Sequence, residues 1–276
     1  MQKRYTNSIV THLADLPFYT EGPAVDAANN FYCTTLKGGT IVKIDSNGTL
    51  SEWAKATCPN GQIILPNGDH LVCDSATGYV IRFDPFGKLI GNETKKIIES
   101  REVQVPNDLI TDRLGNLYFT DSIRHEGKIF YLGVDGEERV FAENLDYPNG
   151  LVLSSDEKTL FVAESYTNRI LQFNLDKPGY VKSEMTVLAN LPSHQSGNII
   201  DNLPDGLAMN AQGEIAVAHY GMGAFQLLSA EGLLDSTVLT GLPKTSNLIF
   251  LTETTLLVTG GYAEPGPGAL LKIILQ

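Results

Sequence analysis

Residues 106–136 read "PNDLITDRLGNLYFTDSIRHEGKIFYLGVDG", and this stretch decides the fold. A Pro-Asn-Asp turn leads into the short apolar run "LITD", and "RLGN" turns the chain again. "LYFTD" and "KIFYL" then read as strands, and Asp-Gly closes the second of them. The runs are short, rich in β-branched and aromatic residues, and separated by turn chemistry, which is the pattern of antiparallel strands. No window keeps a 3.6-residue apolar period long enough to predict a substantial helix.

The unit recurs down the chain. It reads "EGPAVDAANNFYCTTLKGGTIVKID" at 21–45 and "PNGQIILPNGDHLVCDSATGYVIRFDPFG" at 59–87. It returns as "PNGLVLSSDEKTLFVAESYTNRILQFNLD" at 148–176 and "PDGLAMNAQGEIAVAHYGMGAFQLLSAEG" at 204–232. The final copy, "SNLIFLTETTLLVTGGYAEPGPGALLKIILQ", is the most degenerate but keeps the strand order. Several short strands repeated at such a period predict a β-propeller, and six copies predict six four-stranded antiparallel blades in one domain spanning residues 1–276. The linkers "LSEWAK", "KKIIES", "RVFAEN", "EMTVLAN" and "STVLTG" are expected to supply the outer strands. The last copy has no linker after it, so "SIVTHLAD" near residues 7–14 is expected to complete that blade and close the ring, leaving no open sheet edge.

Composition narrows the function. The 276 residues are 42% hydrophobic, enough for a sizeable core, and 26 Gly and 13 Pro are spread through the chain. A net charge of −12 disfavours phosphate backbones and favours cations near the surface. The N-terminal segment lacks an apolar stretch suited to a signal peptide or membrane span. Cys33, Cys58 and Cys73 have no metal-like spacing and read as free thiols in a reducing cytoplasm.

Aligning the units places Glu21, Asn60, Asn107, Asn149, Asp205 and Asn247 at one position, the start of each innermost strand. Asn and Asp suit turns through local backbone bonds, and the following Gly through its tolerance of positive φ. That explains the asparagines but not two acids, Glu21 and Asp205, facing one axis. Two such carboxylates repel unless a cation lies between them, and with amide oxygens they make a hard-oxygen set for Ca²⁺, Mg²⁺ or Mn²⁺.

The stretches "EGP" at 21–23, "PNDLITDRLGNLYFTDS" at 106–122, "PNGLVLSSDEKTLFVAES" at 148–165 and "LPDGLAMNAQGEIAVA" at 203–218 resemble the senescence marker protein/gluconolactonase (regucalcin-like) family of six-bladed propellers. The likeness covers essentially the whole chain. It implies one divalent ion held by Glu21, Asn149 and Asp205, with Asn107 contacting ion or substrate, and hydrolysis of sugar-type lactones. Ca²⁺ is the ion favoured, with Zn²⁺, Mn²⁺, Mg²⁺ and Fe²⁺ as alternatives. Related sugar-lactone members carry an arginine two residues before the Asn107 equivalent. Here that residue is Val105, which points to a less hydroxylated or more apolar lactone.

The expected chemistry is opening of a lactone ring, with the cation polarising the carbonyl and activating water. Asp205 is the candidate base. Asn60, Asn107, His219 and His125 are candidate substrate contacts. His219 stands fourteen residues after Asp205, as Asp121 does after Asn107 and Asp74 after Asn60, and could carry a proton or serve structure. The acids of that second set are expected to tie adjacent loops. Tyr166, Tyr220, Met222 and Tyr262 are candidate wall residues, and "LPSHQSGNIIDNLPDG" a loop over the site. The alternatives are organophosphate or ester hydrolysis on the same metal site, or a non-enzymatic propeller resembling NHL-repeat scaffolds. The expected partner is a small lactone or ester, with neither nucleic acid nor membrane.

Overall fold

The structure is a computed structural model that describes Tyr5 and residues 7–276. The reading of the N-terminus as leaderless rests partly on residues 1–4 and 6, which lie outside the described residues. Six antiparallel blades of four strands surround a central channel. Blade 1 runs Glu21–Val25, Phe31–Thr34, Thr40–Ile44 and Leu50–Lys55 from axis to rim; blade 3 runs Pro106–Thr111, Leu117–Asp121, Gly127–Leu132 and Glu138–Leu145. The inner strands of blades 2, 4, 5 and 6 are Pro59–Ile64, Pro148–Leu153, Leu203–Met209 and Lys244–Thr252. Blade 4 carries one extra short strand, Tyr180–Val181, off its third strand. Among the described residues, helix is confined to three single 3₁₀ turns, Leu36–Gly38, Ser165–Thr167 and Ile199–Asp201, so no helix is long and apolar enough to cross a membrane.

The ring closes as expected. Ser8–Leu16 pairs antiparallel with Gly268–Leu275 as the outer strand of blade 6, and Asn7 and Gln276 exchange backbone hydrogen bonds beyond it. One linker differs. The outer strand of blade 2 is Leu89–Asn92, while "KKIIES" leads through Ile97–Ile98 into a separate hairpin with Arg101–Glu102. Ile98 explains the departure. It is fully buried against Leu71, Cys73, Val103 and Phe119, so the segment plugs the junction of blades 2 and 3 instead of lying along an edge. Every other blade junction has its own apolar layer, such as Tyr118, Ile129, Leu151, Leu160 and Leu171 between blades 3 and 4.

The Pro-Asx-Gly stretches are not turns. Each lies within an inner strand, at a β-bulge where two residues oppose one. In blade 3, Pro106 pairs with Asp121 and Leu109 with Phe119, leaving Asn107 and Asp108 in the bulge. The same register shift places Asn60–Gly61, Asn149–Gly150, Asp205–Gly206, Gly22–Pro23 and Ser246–Asn247 there. Hydroxyls of neighbouring blades hold the geometry. Ser75, Ser122 and Ser165 donate to the carbonyls of Pro106, Pro148 and Pro204 at 2.7, 2.6 and 2.7 Å.

The glycines of the repeat are also there for a different reason than expected. Gly61, Gly150 and Gly206 do not adopt positive φ. They are glycines because the axis is crowded: a Cβ on Gly150 would lie 2.3 Å from the Asp205 carbonyl oxygen and 2.5 Å from Gly206 Cα. The obstacle is backbone, which cannot swing aside. Gly150→Ala is therefore expected to cost about 1–3 kcal/mol, the range for overpacking, measured by denaturant unfolding. Gly136→Ala on an open outer turn, where no neighbour lies within 4 Å, isolates the cost of φ alone.

Two histidines on second strands, His70 and His219, are buried and held neutral, each pushed down to about 4 mainly by loss of solvation. A base whose folded pKa is depressed contributes stability above its unfolded value of about 6.5, lost as pH falls toward the folded value. Thermal midpoints are thus expected to drop between about pH 6.5 and 4, with His219→Gln flattening part of that slope.

Candidate active site

The strand starts open onto a cavity of about 430 Å³ at one mouth of the channel. Glu21, Asn60, Asn107, Asn149 and Asp205 line it. Asn247 does not. Asn60, Asn107, Asn149 and Asp205 are first residues of their bulges, whereas Asn247 is a second residue, matching Asp108 and turned the other way. Glu21 is not at the aligned position either: it pairs with Thr34 just before its bulge, yet lines the cavity. Ser246 takes the ring position in blade 6 and donates to the Thr20 carbonyl at 2.7 Å. Asn247 instead points down the axis, where its Nδ2 donates to Asp108 Oδ2 at 3.2 Å. The expected ring of six therefore has five members.

The walls follow the same alternation. Two residues before each ring member stand Tyr19, Cys58, Val105, Tyr147 and Leu203, and all five line the cavity. Lys244, the blade 6 counterpart, is not among the lining residues; its Nζ donates to Tyr220 Oη at 2.5 Å, and Tyr220 donates onward to Glu264 at 2.8 Å. Tyr166 and Tyr220 line the cavity as expected, whereas Met222 and Tyr262 are not among its lining residues. Tyr147 and Tyr166 meet edge to face at 5.5 Å, and the Arg124 guanidinium lies 3.6 Å over the Tyr166 ring. Ile200, from the 3₁₀ turn in the long blade 4–5 connection, completes the rim. Sequence reasoning missed Tyr19, Tyr147 and Leu203, although the spacing used for Val105 would have found each of them.

The histidines do not reach the cavity. His219 occupies, in blade 5, the strand-end place held elsewhere by an acid. There, Asp74 accepts the Thr57 and Cys58 amides at 2.8 and 3.1 Å, and Asp121 accepts the Gln104 and Val105 amides at 3.0 and 2.6 Å. These acids tie loops together, as expected; His219 shares their place at the strand end but meets the neighbouring strand, its Nδ1 3.2 Å from Gln226 Nε2. His125 sits on an exposed loop beside Asp146, and His194 bonds Ser196 within its own loop.

The floor has an unusual electrostatic character. Glu21 and Asp205 are both buried, and desolvation pushes each carboxyl well up; next come Asp108 for Glu21, and Glu21 itself for Asp205. Burial also pushes Asp108 up to about 6. Among the described residues, no Lys, Arg or His lies within ion-pair distance of these three acids. The amides add a second signal. Asn60 and Asn149 donate through Nδ2 to Ser75 and Ser165, at 3.3 and 3.4 Å. This leaves their buried Oδ1 atoms with no hydrogen-bond partner. Orphaned amide oxygens beside uncompensated carboxylates fit a hard divalent cation. Among the described residues no three His, Cys, Asp or Glu are arranged so that they alone could hold a metal ion; the donor set here is two acids with amide oxygens, which suits Ca²⁺-like ions.

The family model described as "SMP-30/Gluconolactonase/LRE-like region" matches residues 19–261. A lactonase drp35 from Staphylococcus haemolyticus is 25% identical over 232 residues, covering 80% of this chain and 69% of its own. A gluconolactonase from Zymomonas mobilis is 29% identical over 175 residues, covering 56% of this chain and 48% of its own. In fold, a Xanthomonas campestris gluconolactonase superposes with a TM-score of 0.83 at 23% identity, over 100% of this chain and 95% of its own. Regucalcin from Agrobacterium tumefaciens, a calcium-binding protein, gives 0.80 at 18% identity, over 98% of this chain and 94% of its own. The match from the first inner strand to the last blade, on a six-bladed frame with its polar ring at the axis, makes this chain a member of the SMP-30/gluconolactonase/LRE-like family.

Proposed function

We propose that this chain is a lactone hydrolase that depends on one divalent cation, with Ca²⁺ the preferred ion. The observation that carries the reading is the cavity floor: two buried acids without a protein countercharge, next to amide oxygens without partners. Glu21, Asn149 and Asp205 would hold the cation, leaving Asn60 and Asn107 to complete its surroundings or to meet the substrate. A cation bound there supplies polarisation of the ester carbonyl and a more acidic water.

The chain's own residues supply the rest. Asp205 takes a proton from the attacking water; as a cation ligand it would be a weaker base than its burial alone makes it, and the more acidic water would offset that loss. The water oxygen bonds to the carbonyl carbon. When the carbonyl re-forms, the ring C–O bond breaks and its oxygen recovers the proton from Asp205, giving a hydroxy acid. Ser165 keeps the Asn149 amide oriented by accepting its Nδ2 hydrogen and donating to the Pro204 carbonyl. Tyr147, Val105 and Leu203 give the walls apolar surface, which favours a less hydroxylated lactone with an apolar body over a polyol. We place the protein in the cytoplasm, a reading supported by three free cysteines.

Chelation is expected to abolish turnover of a panel of lactones, with recovery on adding Ca²⁺. Asp205→Asn should lower kcat/KM by about 10²–10⁴-fold, the usual contribution of a positioned base. Undiminished turnover after exhaustive chelation would remove the cation from the account, and preference for phosphotriesters over every lactone would replace the substrate class. Val105→Arg should shift kcat/KM toward glucono-δ-lactone relative to an aryl lactone; an unchanged ratio would show that this wall does not set selectivity.

A further inference from the structure

Asp108 is the acid that the reaction leaves unused. It occupies the second bulge position of blade 3, where blades 2, 4 and 5 carry Gly61, Gly150 and Gly206, and where blade 6 carries Asn247. Asp108 and Asn247 are both buried and meet on the axis, between the 430 Å³ cavity and a second cavity of about 270 Å³ farther along the same inner strands. Their neighbours are glycines by necessity. A Cβ on Gly61 would lie 2.4 Å from Asp108 Oδ1, and one on Gly206 2.0 Å from Asn247 Oδ1. The pair is fixed from several sides: the Leu109 amide donates to Asp108 Oδ1 at 3.0 Å and the Leu248 amide to Asn247 Oδ1 at 2.8 Å. The Asp108 amide in turn donates to Thr120 Oγ1 at 3.1 Å.

We infer that Asp108 is a positioning residue that supplies a third negative charge to the cation site without ligating the ion, while Asn247 fixes that charge on the axis and plugs the channel beneath it. The inference rests on the cation reading above. A buried carboxylate needs a countercharge, and none comes from the protein among the described residues. Neutral donors satisfy Asp108 but do not cancel its charge. A cation held by Glu21 and Asp205, in the cavity that opens above it, does. Without the plug, three facing glycines would leave the floor open to the second cavity and to water, weakening the field the ion feels.

The test is calorimetric titration of Ca²⁺ into the chelator-treated wild type, Asp108→Asn and Asn247→Ala, with thermal unfolding of each cation-free form. Wild type should bind one ion. Asp108→Asn, nearly isosteric, should bind about tenfold more weakly or worse, with a cation-free midpoint no lower than wild type, since an uncompensated buried charge has been removed. Asn247→Ala keeps the charge and should lose only about threefold or less. Asp108→Gly, the residue of the equivalent blades, serves if the amide variant fails to fold. Ca²⁺ affinity within twofold of wild type in the Asp108 variants, or an equal loss in Asn247→Ala, overturns the inference while leaving the cation site intact. A wild type that binds no divalent ion overturns both.

Discussion

Six β-bulges, one at the start of each inner strand, govern both the shape and the chemistry of this molecule. In a regular strand, successive side chains alternate between the two faces, and a blade's faces are covered by its neighbours. The extra residue breaks that alternation at the axis. It turns Asn60, Asn107, Asn149 and Asp205 into the cavity, turns Asp108 and Asn247 down the channel, and forces glycine wherever the backbones of facing blades meet. Serine hydroxyls at the ends of second strands lock the distortions of blades 3, 4 and 5 to the preceding blade. The polar site is thus a by-product of how the ring is closed at its centre.

That closure also concentrates charge. Three carboxylates are buried at the axis with no cationic side chain within ion-pair distance among the described residues, an arrangement that is costly for a scaffold and natural for a cation receptor. Four of the residues two upstream, Tyr19, Val105, Tyr147 and Leu203, put aliphatic or aromatic surface beside the polar floor. A ligand with one ester function and an apolar body matches this division better than one polar all round.

Much of the fold was legible in the sequence. Alternating apolar residues and turn chemistry repeat clearly enough to give the blade count, and the missing final linker gave the N-terminal closure. "KKIIES" misled because buried Ile98 serves an interblade gap, a tertiary role that strand propensity cannot express. The ring was legible to within one residue. Asn247 was misplaced because "SNL" lacks the proline that fixes the register elsewhere, and a slip of one position reverses the side chain. The glycines were assigned to positive φ because a sequence reveals local conformational preference but not the approach of a facing blade. The fourteen-residue spacing draws His219 toward the site, whereas it is buried at the strand end beside Gln226 of the next strand, a contact that the sequence does not display.

The central claim is that the axial ring is a divalent-cation site. It is tested most directly by a crystal structure grown with Ca²⁺, or Mn²⁺ in its place, and phased on the anomalous signal of that ion. One strong peak is expected at the cavity floor, roughly 2.3–2.6 Å from oxygens of Glu21, Asn149 and Asp205 for Ca²⁺. An ordered floor with no peak there, while Glu21 and Asp205 share a proton or bond only to water, would contradict it.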